Sequence, residues 1–293
     1  MRKILQKAAI IGSLILIPSF ASFASDPGTT AANFLKIGVG ARASAMGGAF
    51  TALADDGSAL HWNPAGLSQI ENTEVSAMYN MWFQEVKQGY LSLAFSFLGG
   101  VAGLGANYVD MGKIEGRDEE GNPTGDFGAS DMQVLLGYGR KLSPRLMLRI
   151  SAGMLQETIA GDKDSAFLGN VGILLKMSDS FSFGLACQNI GSDLGEDPLP
   201  LTYRGGVALN LRSLSVAADA VKAIDDDIYF CTGLEWWIGN ILALRGGYRT
   251  GQDVGSGISA GVGLRISKIN LDYAYVPYGD LGNTHRVSLG IKF

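Results

Sequence analysis

Apolar and polar residues alternate with a period of two along most of the chain. Ile258, Ala260, Val262, Leu264 and Ile266 oppose Ser259, Gly261, Gly263, Arg265 and Ser267. Val287, Leu289, Ile291 and Phe293 oppose Arg286, Ser288, Gly290 and Lys292 in the same way. Such a period sends successive side chains to opposite faces of a strand. It predicts fourteen strands, at 74–82, 88–97, 101–110, 130–141, 146–158, 166–176, 181–189, 201–211, 214–222, 227–237, 241–249, 257–266, 269–276 and 284–293. Most run for about ten residues, the length a tilted strand needs to cross an outer membrane. The charge-free run Gln88–Val109 is the one place where a spanning helix competes. Inside it Ser92, Ala94 and Ser96 alternate with Leu91, Leu93, Phe95 and Phe97, and Gly99-Gly100 then interrupts. That is the pattern of a hairpin.

The connections alternate in length. Short turns are predicted at Leu98–Gly100, around Ser143-Pro144, and at Ser178–Ser180, Arg212-Ser213, Gly239-Asn240 and Ser267-Lys268. Longer polar links lie between them. Met111–Ala129 is the longest, followed by Ile190–Pro200, Ala223–Asp226, Thr250–Ser256 and Pro277–Asn283. Outer-membrane barrels have short periplasmic turns and longer outer loops, and an even strand count places both termini in the periplasm. A soluble sandwich would alternate too, but it gives no reason for short and long connections to take turns. Unpaired backbone in hydrocarbon costs several kcal/mol per group, so a lipid-facing sheet must close. The expected fold is all-β: a transmembrane antiparallel barrel of about 14 strands over 73–293, among outer-membrane lipids of a Gram-negative-type bacterium. With the apolar register outward, Arg149, Arg204, Arg245 and Arg265 point into the lumen with Asp219, Glu235 and Asp272. Mixed charges in a confined lumen pair structurally, with substrate selection as the alternative. Trp82, Trp236, Trp237, Tyr273 and Tyr275 fit an interfacial girdle.

Two segments precede the strands. Residues 1–24 have the form of a secretory signal peptide, with Arg2, Lys3 and Lys7, an apolar stretch from Ala8 to Ile17, and small residues at Ser22 and Ala24. Residues 25–72 are too long and too patterned for a tail. A fourteen-strand barrel is wider than the eight strands whose side chains fill their own interior, so its lumen is a water-filled channel or carries a plug. This small-residue-rich segment, helical or irregular, is the expected plug. Within it Asn63 suits an N-cap and Pro64 the first helical position. Gly38-x-Gly40-x-x-Ala43 formally satisfies a dinucleotide fingerprint but lacks a surrounding βαβ pattern. Asp55-Asp56 reads as an acidic helix end or a polar lumen contact rather than a cation site.

Composition narrows the chemistry. Glycine takes 41 of 293 positions and only 17 % of residues are charged, which excludes a disordered chain. The net charge is −5, and 20 basic residues against 28 acidic ones remain without the leader. That balance disfavours nucleic acid as a partner. Two cysteines, Cys187 and Cys231, and two histidines, His61 and His285, leave little material for a metal centre, and no cofactor or catalytic residue is expected. No nucleophile elbow occurs in a helical context.

The run from Phe34 to Leu67 closely resembles the N-terminal signature of PorV/PorQ-type outer-membrane proteins, relatives of the FadL long-chain fatty acid transporter family. The motif positions are Gly38, Gly40, Arg42, Met46, Gly47, Asp55, Asp56, Trp62, Asn63, Pro64 and Gly66, and Asn63–Gly66 matches the family's Asn-Pro-Ala-Gly element. The resemblance implies a fourteen-stranded barrel with an N-terminal hatch. Phe293, with Leu289 and Ile291, looks like the C-terminal signal read by the barrel-assembly machinery. The chain is shorter than FadL proper or the PorV of type IX secretion, so ligand and docking residues do not carry over. Two functions follow as expectations: passage or binding of hydrophobic small molecules, or a secretion-accessory role in which outer loops bind an exported protein. The modest loops favour the first.

Overall fold

The computed structural model describes residues 27–252 and 254–293; the expected leader, 1–24, lies outside them. Fourteen antiparallel strands close into one barrel, each paired with its neighbours in sequence and β1 with β14. They are β1 (Glu74–Met81), β2 (Lys87–Phe97), β3 (Gly100–Arg117), β4 (Pro123–Lys141), β5 (Leu146–Ile159), β6 (Asp162–Lys176), β7 (Phe181–Gly191), β8 (Thr202–Leu211), β9 (Leu214–Ala223), β10 (Tyr229–Ile238), β11 (Leu242–Arg249), β12 (Ile258–Ile266), β13 (Ile269–Pro277) and β14 (Asn283–Lys292). The ladder from Glu74↔Lys292 to Met81↔His285 closes the wall and leaves no open edge.

The alternation of the sequence becomes the two faces of this wall. Leu91, Leu136 and Ile150 are 55 %, 65 % and 61 % exposed on its outside, whereas Arg149 on the inside is 1 % exposed. Large apolar side chains over a whole cylinder are at home in lipid and not in water. Among the described residues no helix is long and apolar enough to cross a membrane. The wall crosses with strands.

Tight turns link strands where the sequence supplies residues that accept positive φ. Leu98 and Gly99 have φ of 45° and 72°, and Gly239 and Asn240 have 61° and 56°. Both pairs match the hairpin twist of adjoining strands.

The 111–129 stretch, expected to be a loop, is instead mostly strand. β3 and β4 continue through it to Arg117 and Pro123. The register slips between Asp110 and Lys113, where Gly112 has φ of 73° and donates its N–H to Asp110 Oδ1 at 2.9 Å. That bulge breaks the period of two, which hid the continuation. At the tip, Asn122 N–H donates to Asp118 Oδ1 at 2.7 Å, and hydrogen bonds from the Asn122 side chain and backbone hold the Asp118 carboxyl below its ordinary range.

Residues between Thr30 and Ile70 pack against the inner side of the wall. Two single-turn helices, α1 (Ala41–Ala45) and α2 (Ala59–Trp62), and 3-10 turns at Asn33–Lys36 and Pro64–Gln69 make up their regular structure. The core lies between this segment and the wall, where Phe50, Leu60, Trp62 and Leu67 pack with Ala94, Val101, Ala208 and Val221. The wall makes room with glycine: a Cβ on Gly247 would overlap the Met46–Gly47 peptide. Glu74 and Lys292 pair at the end with the short turns. The segment starts at the opposite end, where Ala31 N–H donates to Pro198 O at 3.0 Å and Thr30 Oγ1 to Asp225 Oδ2 at 2.7 Å. The first and last strand ends thus share one end of the wall, and the first described residues of the inner segment lie at the other.

Candidate functional site

The inner segment is pinned by a few buried polar groups. Asn63 caps the 3-10 turn by accepting from Ala65 N–H at 3.1 Å, with Pro64 at the first position. Its Nδ2 donates to Thr51 O at 2.8 Å and to Ile173 O of β6 at 3.1 Å. Gly172 of β6 makes this approach possible, since a Cβ there would overlap the Asn63 side chain. Gly66 packs against the Ala54 carbonyl with no room for a side chain. Asp219 of β9 accepts from Phe50 N–H, Thr51 N–H and Thr51 Oγ1 at 3.0, 2.9 and 2.6 Å, with Arg204 Nη2 at 3.4 Å. A single wall carboxylate thus caps the start of the turn that runs from Phe50 to Ala54.

Toward the long-connection end lies a cavity of about 450 Å³. Its chemistry comes from guanidinium groups set over rings. Arg204 lies 4.8 Å from the Trp62 ring, Arg249 4.0 Å from Tyr229 and Arg286 5.2 Å from Trp82. Such stacking holds each cation in place. Arg286 Nη1 donates to Gly38 O at 3.0 Å and also bonds Ser44 Oγ, whereas Arg249 Nε and Arg286 Nε find no partner among the described residues. At the rim, Trp82, Phe83 and Tyr278 form a three-ring cluster with centroid spacings of 5.2–5.4 Å. Trp62 is fixed by its Nε1 donating to Val39 O at 2.8 Å, and Gln188 donates to the His61 carbonyl.

A second, smaller cavity of about 90 Å³ sits at the short-turn end. An alternating chain of charges surrounds it. Arg42 of α1 binds Glu235 of β10 through Nε–Oε2 at 2.8 Å and Nη2–Oε1 at 2.9 Å, and also pairs with Asp55 and, at 3.6 Å, Asp56. Glu235 continues to Arg245 at 2.7 Å, and Arg245 to Asp272 at 2.7 Å. Among the described residues no group of three or more metal-ligating side chains is brought together.

The residues singled out from sequence thus divide between two places. Gly38, Gly47 and Trp62 border the large cavity; Gly40, Arg42, Asp55 and Asp56 border the small one. Gly40 N–H donates to Met78 Sδ at 2.9 Å and Gly47 N–H to Ser259 Oγ at 3.0 Å, while Met46 is fully buried against Gly233. Arg204, Asp219, Glu235, Arg245 and Asp272 lie in ion pairs. Arg149 departs from the expected charge pairing: its Nη2 donates to Val101 O at 2.8 Å, and among the described residues it forms no ion pair. Arg265 also differs, sitting exposed at the rim, 4.0 Å from the Trp237 ring and 3.0 Å from Asn270 Oδ1. Phe293 is exposed and its N–H donates to Thr73 O at 2.9 Å.

Trp82 and Trp237, expected in an outer girdle, are corrected by the structure: both border cavities on the lumen side. In β10, Trp236 takes the outward position and Trp237 the inward one, since adjacent strand residues cannot share a face. Sequence reasoning missed Arg249, Arg286, Tyr229 and Tyr278 as cavity residues. Arg286 was legible as inward by its place opposite Val287, but Tyr229 and Tyr278 lie where the alternation ends.

The fold is a closed fourteen-strand barrel of the outer-membrane type, with the chain's own leading segment packed in its lumen. The described Uncharacterised protein family (UPF0164) matches residues 19–110. No curated protein sequence matches the chain. Among solved structures, the CymD monoaromatic hydrocarbon channel superposes with a TM-score of 0.69 at 12 % identity, covering 87 % of this chain and 98 % of CymD. The Pseudomonas putida toluene transporter TodX gives 0.62 at 14 %, covering 86 % and 96 %. A Pseudomonas aeruginosa FadL homologue gives 0.59 at 11 %, covering 87 % and 98 %. At these identities the likeness establishes the architecture alone, a closed fourteen-strand antiparallel barrel.

Proposed function

We propose that the chain is a non-enzymatic outer-membrane channel of FadL type that binds and passes hydrophobic small molecules, with residues 25–72 as its plug. The observation that carries this reading is the 450 Å³ cavity at the long-connection end, walled by Trp62, Trp82, Tyr229 and Tyr278. Its size and ring-rich lining suit a compact apolar solute, which gains about 25 cal/mol per Å² of apolar surface taken out of water. The monoaromatic hydrocarbons named for CymD, and the toluene named for TodX, are solutes of this kind. Arg249 and Arg286 border the same cavity and their positive charge complements an acidic head group, which widens the range to amphipathic solutes. In this reading the leader directs export, Phe293 is read during barrel assembly, and the short-turn end faces the periplasm.

Tryptophan fluorescence of the purified protein tests it directly. Toluene, p-toluate and oleate are titrated into wild type and Trp82→Phe. Saturable quenching by at least one solute, reduced in the variant, is the expected outcome. No saturable response to any of the three overturns the reading.

A further inference from the structure

The short turns carry charges that take no part in the lumen. Arg140 and Lys141 close β4, Arg145 precedes β5, Arg212 stands in the β8–β9 turn and Lys268 in the β12–β13 turn. All five are exposed, and none forms an ion pair among the described residues. Asp179 is the one acidic residue in the six short turns. The opposite end has the reverse sign, with Asp118-Glu119-Glu120 between β3 and β4 and Asp225-Asp226-Asp227 between β9 and β10.

Apolar residues accompany these cations. Leu142 follows Lys141 and Leu211 precedes Arg212; both are exposed, as are Leu98, Met177 and Ile241 at other short turns. On β4 the outward register runs Leu136, Tyr138, Arg140, passing from aliphatic through aromatic to cation over about 13 Å. Tyr138 turns its hydroxyl to Leu98 O at 3.1 Å. A lipid-facing strand shows this succession where it leaves hydrocarbon for the headgroup layer. Long cationic side chains there lay their stems on apolar surface and hold their charge at the phosphate level.

We infer that the short-turn end of the barrel binds anionic phospholipid headgroups and selects them over zwitterionic ones. This binding does not depend on which solute the lumen takes. The distribution of charge carries it. The cations stand on the β4–β5, β8–β9 and β12–β13 hairpins, spread around the closed wall. A soluble acidic partner seated on one side would leave most of them uncovered, whereas an annulus of lipid meets them all. The exposed leucines beside them suit acyl chains better than the polar surface of such a partner. Phosphatidylcholine offers a phosphate offset by its own ammonium group, and phosphatidylglycerol leaves that charge unopposed. Each Lys or Arg near an anionic lipid surface contributes roughly fivefold to the attraction.

Native mass spectrometry of the purified full chain, with equal concentrations of phosphatidylglycerol and phosphatidylcholine in the detergent, counts the lipids retained. Wild type retains phosphatidylglycerol in about fivefold or greater excess. The excess shrinks as ammonium acetate rises from ~0.05 to ~0.5 M, because salt screens exposed charges. Arg140→Gln with Lys141→Gln and Arg145→Gln lowers phosphatidylglycerol retention about fivefold and leaves phosphatidylcholine unchanged. Lys113→Gln with Arg117→Gln and Lys163→Gln removes the same charge from the long-connection end and keeps the preference. Heat-modifiable migration on gels follows the folding of each variant. Arg212→Gln with Lys268→Gln repeats the measurement on other hairpins should the first set fail to fold. Equal retention of the two lipids by wild type overturns the inference and assigns these cations to a soluble acidic partner. Equal loss of phosphatidylglycerol from the short-turn and long-connection variants overturns it as well.

Discussion

Asp131 is the residue least reconciled with its surroundings. It is 2 % exposed on the inner face of β4, its Oδ1 has no partner among the described residues, and its cross-strand neighbour is Glu157. Buried carboxylates are ordinarily paired, and like charges opposite each other on a sheet destabilise it. Arg149 shows how the same wall accommodates an isolated charge, by donating to the carbonyls of Val101 and Gly139. A carboxylate cannot use carbonyls in that way, because both are acceptors. Asp131→Asn therefore raises stability, by roughly 1 kcal/mol, measured by urea unfolding in detergent; a loss of stability would show that the charge is compensated. The inward side of Asp131 was legible from alternation with Ser130 and Met132. Its lack of a partner was not, because period says which face a residue takes and not what waits there.

At the scale of elements, most of the wall was legible because each strand carries its own period of two, and lipid on one side keeps that period clean. The β3–β4 hairpin escaped because the register shifts at the bulge between Asp110 and Lys113, and beyond it Lys113, Glu115 and Arg117 put charge where an apolar face would mark a strand. The inner segment was legible as compact but not in the particular ties it makes to the wall. Its 3-10 turn at Asn33–Lys36 is tied to the β9–β10 connection by Lys36 Nζ, 2.6 Å from Asp225 Oδ2 and 3.3 Å from Asp226 Oδ2. Burial alone would raise the Asp225 carboxyl, but the Lys36 ammonium and the Thr30 hydroxyl outweigh it and hold it below the ordinary range. A carboxyl lowered in the folded state contributes stability that is full above its unfolded value near ~3.9 and is lost as pH falls through the folded value. The turn therefore stays docked at neutral and mildly acidic pH and loosens only below about pH 4. Proteolysis at 27–37 by an acid-active protease checks this. Asp225→Asn should be cut at neutral pH by a neutral protease as well, and resistance there would remove Asp225 from the account.

For the whole molecule, the wall and the segment inside it rest on different forces. The wall is a closed ladder, and opening it in lipid costs several kcal/mol for every backbone group left unpaired. The inner segment has no ladder. It is held by apolar packing around Phe50 and Leu60, by the Asp219, Asn63 and Arg42 joints, and by fit against wall glycines. Glycine at an inward wall position is thus a property of the pair rather than of the strand, which would tolerate a larger residue. Gly247 separates the two cases. Its β10 and β12 partners are Gly233 and Ser259, so a side chain there leaves the ladder intact. That side chain would, however, overlap the Met46–Gly47 peptide and break the bond from Gly47 N–H to Ser259 Oγ. Gly247→Leu should therefore keep the heat-modifiable migration of a closed barrel while trypsin gains access to Arg42, which wild type protects by burial and pairing. Should the barrel itself fail to close, wall and segment would be one cooperative unit. If Arg42 stayed protected in a closed barrel, the fit at Gly247 would not be what seats the segment.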